Sequence, residues 1–194
     1  MSLKGTNSIA SGETRRKPLT TQPSLKGRHI RQCRGDVAGG DHTLMAQTLV
    51  SLYVHIIFSA KYRRNIILPE DEPDLFAYMG GIANNNESKL LAAGGTANHV
   101  HLLASQSKKI GVSELVGDIK RDSSVWIKDR GIRYAQFHWQ DGYGAFSVGY
   151  TQLNAVKRYI ARQKEHHARV SFEDEFRYFL KKYDMEYDER YVWD

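Results

Sequence analysis

Two pairs of residues have the types and spacing to do chemistry: His99 and His101 around Val100, and Tyr159 and Gln163 four apart. On a β-strand successive side chains alternate, so His99 and His101 leave one face while Val100 and Leu102 leave the other. Neutral imidazoles placed this way can share one divalent cation. A His-x-His pair can also be half-buried polar decoration of a sheet face. The setting Asn98-His-Val-His-Leu-Leu103, a polar pair inside an otherwise apolar strand, favours the metal reading. On a helix, Tyr159 and Gln163 stack one turn apart. They lie beside an apolar stripe of Leu153, Val156, Ile160 and His167, which puts a phenol and a carboxamide at the rim of the sheet. The chain has 11 tyrosines, so packing is the competing role for any one of them.

Together the pairs suit chemistry at a phosphodiester. A divalent cation polarises the ester and offsets its developing charge. Tyrosine oxygen, with an ordinary pKa of about 10, needs such help to attack. Attack leaves a phosphotyrosine ester, and because the bond energy is kept there, a second hydroxyl can rejoin the strand. Gln163 would add an oxygen ligand; Mg²⁺ or Mn²⁺ accepts oxygen and imidazole together.

The surrounding patterns supply elements to carry these groups. Ser51–Ser59 is β-branched and aromatic and reads as a buried strand. A helix opens at Pro69 and its acidic run and continues to about Asn86. Lys89 to Ala93, a Gly94-Gly95 turn, and His99 to Ser105 read as a hairpin. Val112 to Lys128 carries Leu115, Val116, Ile119 and Ile127 at helical spacing. Short strands are expected at 137–139 and 145–148, then helices over 152–168 and 172–183. This order predicts an α+β fold, a ferredoxin-like or RRM-like antiparallel sheet with helices on one face and C-terminal helices carrying the tyrosine.

The chain has 194 residues and a net charge of +6, but the charge is uneven. Residues 1–44 hold 8 Lys/Arg against 3 Asp/Glu, while 45–194 hold 20 against 19. The folded part is nearly neutral, so nucleic-acid binding would need a local basic patch. Residues 1–44 lack apolar periodicity and read as disordered. They are either a basic arm or non-native sequence ahead of a start at Met45, and the second is favoured because patterning begins only there. No apolar run reaches the roughly 18 residues of a membrane span, no secretory h-region opens the chain, and the lone Cys33 fits a reducing compartment. A cytoplasmic protein without an organic cofactor is expected.

Candidate phosphate contacts are Lys61, Arg63 and Arg64 after the first strand and Lys120 and Arg121 on the second helix. Tyr143 is a candidate base-stacking residue. The segment Gly142–Gly149 lacks the Lys-Ser/Thr of a P-loop. His55 is expected near the pair in a structural role, His167 on the packing face and His166 near Tyr159.

The chain resembles the single-tyrosine HUH transposases of bacterial insertion sequences, relatives of the REP-associated tyrosine transposases. The resemblance rests on Tyr53–Ser59 with Lys61-Tyr-Arg63, Asn98–Leu103, Trp139–Val148, Val156–Gln163 and Glu186–Tyr191, in that order. It implies a homodimer acting on single-stranded DNA with hairpin ends through a 5′-phosphotyrosine. In it His99 and His101 match the motif histidines, Tyr159 the nucleophile and Gln163 the residue completing the metal shell. Such a dimer can use Tyr159 in cis or in trans. The alternative is a non-catalytic single-stranded nucleic-acid-binding module, a domesticated transposase that binds hairpin repeats. A histidine phosphoesterase is disfavoured because its repeated His-x-Ser/Thr motif is missing.

Overall fold

The structure, a computed structural model, describes residues 48–190, 192 and 193. The expectations for residues 1–44, Cys33 and a start at Met45 lie outside the described residues. Among the described residues, four strands, β1 (Tyr53–Ser59), β2 (Lys89–Gly95), β3 (His99–Ser105) and β4 (Gly144–Ser147), and five helices follow in the order β-α-β-β-α-β-α-α-α. The helices are α1 (Glu72–Asn85), α2 (Val112–Lys128), α3 (Leu153–Ala161), α4 (Gln163–His167) and α5 (Phe172–Lys182). The sheet order is β2-β3-β1-β4, and every neighbouring pair is antiparallel. This is the predicted ferredoxin-like α+β sheet.

Alternation along β1 and β3 divides the molecule into two layers. Ile56, Phe58, Val100 and Leu102 face Leu75 and Met79 of α1 and Leu115 and Ile119 of α2, forming the main core. His55, Ile57, His99, His101 and Leu103 belong to the other face. There α5 covers Ile57 and Phe146 with Phe172, Phe176, Phe179 and Leu180, and α3 sets Ile160 against Leu103. Each fully buried side chain of this kind stabilises by roughly 1.5–3 kcal/mol. The two central helices keep to one face, and the C-terminal helices close the opposite one over the histidines.

Three local expectations are corrected. Gly94 and Gly95 are not the hairpin turn: β2 runs through both, pairing Gly94 with His101 and Gly95 with Val100, and the chain reverses at 96–98. Residues 137–139 form no strand; Trp139 makes one isolated bridge to Ala60, and its indole donates to Ser123 Oγ at 3.0 Å. The helix expected over 152–168 is interrupted at Arg162, where ψ is 18°, so Gln163 opens a new short helix.

Gly94 stays in the strand because α3 lies on it. A Cβ there would sit 2.5 Å from the Ile160 carbonyl oxygen and 3.0 Å from Ile160 Cγ2. The backbone cannot step aside as a flexible side-chain end would. Gly94→Ala is therefore expected to cost about 1–3 kcal/mol, as overpacking does. A thermal melt checks this: the midpoint should fall by several degrees, and an unchanged midpoint would show that α3 is not seated on this glycine.

Candidate metal and nucleophile site

β3 delivers His99 and His101 side by side on the face under the C-terminal helices, 1% and 0% exposed. Their ring centroids are 5.1 Å apart. Each ring is held from its Nδ1 side. His99 Nδ1 lies 2.7 Å from Asn98 Oδ1 and 2.9 Å from Thr96 Oγ1. His101 Nδ1 lies 3.0 Å from His55 Nε2, delivered by the adjacent strand β1. An amide oxygen only accepts, so His99 carries its proton on Nδ1 and leaves Nε2 as a bare lone pair. Such outer hydrogen bonds orient metal-binding imidazoles.

Burial, followed by the neighbouring His101 and His167, pushes the His99 pKa down to about 3. Burial and then His101 do the same to His55, also to about 3. Burial lowers His101 too, against the opposing pull of Glu175. At neutral pH these rings are uncharged, the state a metal requires.

The residue that joins the site together is Glu175, in the first turn of α5 and 2% exposed. Its Oε2 lies 3.1 Å from His101 Nε2, 3.9 Å from His99 Nε2 and 3.1 Å from His167 Nε2. Its Oε1 accepts from the Tyr159 hydroxyl and from Gln163 Nε2, the latter at 3.1 Å. Burial alone would raise this carboxyl, but the imidazoles of His101 and His167 beside it prevail and hold it well below the usual carboxylate range. The α5 N-terminal dipole adds in the same direction. Around this carboxylate, Tyr159 is pushed up by burial and then by the Glu175 hydrogen bond and charge. His167 is also raised: burial opposes the shift, but Glu175 and the Val170 carbonyl outweigh it.

One ligand atom from each of His99, His101, His167 and Glu175 lies within 4.8 Å of the others. Four buried atoms at this place, His99 Nε2, His101 Nε2, Gln163 Oε1 and His166 Nε2, have no hydrogen-bond partner among the described residues, His166 Nε2 standing 3.5 Å from Glu175 Oε1. Burying unpaired acceptors is costly. A cation between these nitrogen and oxygen atoms would pair them at once, so the donor set fits a divalent metal of the Mg²⁺, Mn²⁺ or Zn²⁺ type.

The structure thus brings together Tyr159, Gln163, His99 and His101, and it does so within one chain. The basic candidates lie elsewhere. Lys61 pairs with Asp141 at 2.8 Å, and Arg63 pairs with Glu173 at 2.7 Å. Arg64 is exposed in a groove shared with Lys61 and Tyr62. Lys120 donates to the carbonyls of Asp141 and Gly142, and Arg121 is held by Asp118 and Asp122. Tyr143 packs against the main core and shares a groove with Lys120 and Arg121, on the α2 side of the sheet and away from Tyr159.

Sequence reasoning missed Glu175, although a signal exists. Phe172, Glu175, Phe176 and Phe179 fall at i, i+3, i+4 and i+7, which puts a carboxylate on the apolar stripe of α5. A charged residue there is rarely buried unless paired. His167 was read as packing and Asn98 as context; both touch the site's polar groups.

The family model described as "Transposase IS200 like" matches residues 48–163, and the chain belongs to that family. The transposase for insertion sequence element IS200 of Salmonella typhimurium strain LT2 is 27% identical over 132 residues, covering 65% of this chain and 86% of that protein. The corresponding Salmonella typhi transposase gives the same values. Among solved structures, a candidate transposase from Deinococcus radiodurans R1 aligns with TM-score 0.48 and 20% identity, over 66% of this chain and 98% of that one. A REP-associated tyrosine transposase bound to a REP hairpin aligns with TM-score 0.49 and 12% identity, over 65% and 74%. Among the described residues no helix is long and apolar enough to cross a membrane.

Proposed function

We propose that this IS200-like transposase cuts and rejoins single-stranded DNA through a covalent tyrosine ester. Tyr159 is the nucleophile, and His99, His101 and Gln163 hold Mg²⁺ or Mn²⁺, with Glu175 and His167 beside them. The observation that carries this reading is the meeting of the Tyr159 hydroxyl, Gln163 and the two histidines around one buried carboxylate. When bound, the cation would supply Lewis-acid polarisation of the phosphodiester and stabilise charge on its oxygens.

The chain's own groups have the following roles. Glu175 fixes the phenol by accepting its hydrogen bond and stands where the proton must go when the oxygen becomes nucleophilic. The Tyr159 oxygen then forms a bond to phosphorus and the bond from phosphorus to the 3′ oxygen breaks. That oxygen leaves as a 3′-hydroxyl after taking up a proton, and the 5′ side remains as a phosphotyrosine. Attack by another 3′-hydroxyl reverses the exchange and rejoins a strand without an external energy source. Asn98 and His55 keep the two rings aimed. The homodimer and hairpin-ended substrate that the resemblance implies belong to the same proposal.

The test is an adduct assay on circular single-stranded DNA with cognate element ends and Mn²⁺. A protein–DNA species that survives SDS, vanishes with EDTA and is absent with duplex DNA is the expected result. Binding of the ends without any adduct would overturn strand transfer and leave the non-catalytic binding module.

A further inference from the structure

We propose that the outer face of α3 and α4 is the track for a DNA strand, its phosphates lying on Arg158, Arg162 and Arg169 and an unpaired base lodged in the aromatic pocket beside Tyr159. This rests on the single-stranded DNA reading above and adds the surface that would recognise the strand.

The sequence builds the track at helical spacing. Ala155, Arg158 and Tyr159 on α3, Arg162 at the break, His166 on α4 and Arg169 just after α4 all line one groove beside the nucleophile. Arg158 and Arg162 are one turn apart, about 6 Å along the axis. The stripe lines an open groove of about 540 Å³ whose floor includes Tyr159 and whose single carboxylate is Glu165. All three arginines are exposed, and none of their guanidinium groups has a hydrogen-bond or ion-pair partner among the described residues.

That contrast is informative in a nearly neutral domain. Arg121 is neutralised by two aspartates and Arg63 by Glu173. Along α3, α4 and the residues just after them, by contrast, three guanidiniums face solvent beside the nucleophile. An exposed guanidinium fork matches phosphate oxygens, and phosphate contacts fix the position of a strand without reading its sequence.

On its other side Tyr159 also lines a pocket of about 260 Å³, walled by His55, Tyr178, Phe179, Lys182 and Tyr183. This is below the roughly 300–1,000 Å³ of drug-sized sites and suits one planar group. Tyr178 is 59% exposed, and Lys182 Nζ sits 5.7 Å and 6.0 Å from the ring centres of Tyr178 and Tyr183. Bases stack on such aromatic walls whatever their identity. A paired base inside a duplex cannot enter, so the pocket selects a single strand at the position where the phenol acts.

The experiment is fluorescence anisotropy of a labelled mixed-sequence single strand with the full chain in EDTA, across a salt series. Replacing Arg158, Arg162 and Arg169 together by Gln is expected to lower affinity and reduce the slope of log affinity against log salt by about 2, at about 0.7 per lost phosphate contact. Lys108→Gln with Arg133→Gln, two exposed changes away from the groove, should leave the slope unchanged. Tyr178→Ala should weaken binding by about 5- to 150-fold. It should have no effect on an abasic strand of equal length. Wild-type protein that binds the strand, with the triple variant keeping its slope and Tyr178→Ala keeping its affinity, overturns the track alone. Wild-type protein that binds no single strand overturns the functional reading on which it rests.

Discussion

Tyr159→Phe is expected to remove the SDS-resistant protein–DNA species completely while leaving the protein folded and able to bind Mn²⁺. The ester can form only through the phenol oxygen, and a phenyl ring offers no substitute. The change deletes one hydrogen bond to Glu175, which keeps Gln163 Nε2 at 3.1 Å and His167 Nε2 at 3.1 Å. Loss of one such partner costs about 1–3 kcal/mol, so the melting midpoint should fall by only several degrees. His99 and His101 keep their partners Asn98 and His55, so calorimetric Mn²⁺ affinity should stay within a fewfold of wild type. An adduct that persists in the variant would move the nucleophile to another residue and sink the assignment.

Removing the carboxylate beneath α5 is the second large change. Glu175→Ala is expected to weaken Mn²⁺ binding by about 10- to 100-fold, the range seen when a group supporting a metal's ligands is lost. It should also destabilise the metal-free protein. The substitution strips partners from the Tyr159 hydroxyl, Gln163 Nε2 and His167 at once, all behind the α5 phenylalanines. Each abandoned buried group costs about 1–3 kcal/mol, partly offset because the carboxylate no longer has to be kept from water. A net loss of about 2–4 kcal/mol is expected, read as a midpoint roughly 10 °C lower. Glu175→Gln separates the two effects: it keeps the shape and one acceptor, so its midpoint should recover more than its Mn²⁺ affinity. Equal Mn²⁺ affinity in all three proteins would show that Glu175 only pins α5 to the sheet.

β1, β3, the α2 boundaries and the face carrying His99 and His101 were legible in the sequence because local periodicity is imposed by burial on one side. Val54, Ile56 and Phe58 alternate because every second residue of β1 meets α1 and α2. The Gly94-Gly95 pair misled because a doubled glycine also marks a turn. Here it marks the close approach of α3, a contact 66 residues away that no local window contains.

The same division holds at the site. Residue type and spacing by themselves determined that His99 and His101 share a face, and that Tyr159 and Gln163 lie one turn apart. Only the tertiary structure decided that these two pairs meet within one chain, through a carboxylate on the last helix. Glu175 lies 74 residues beyond His101, and its role depends on how α5 crosses the sheet. Spacing along a chain specifies direction within an element. Which elements face each other is set by long-range packing, where the apolar stripe of α5 seats Glu175 against His101 on the sheet.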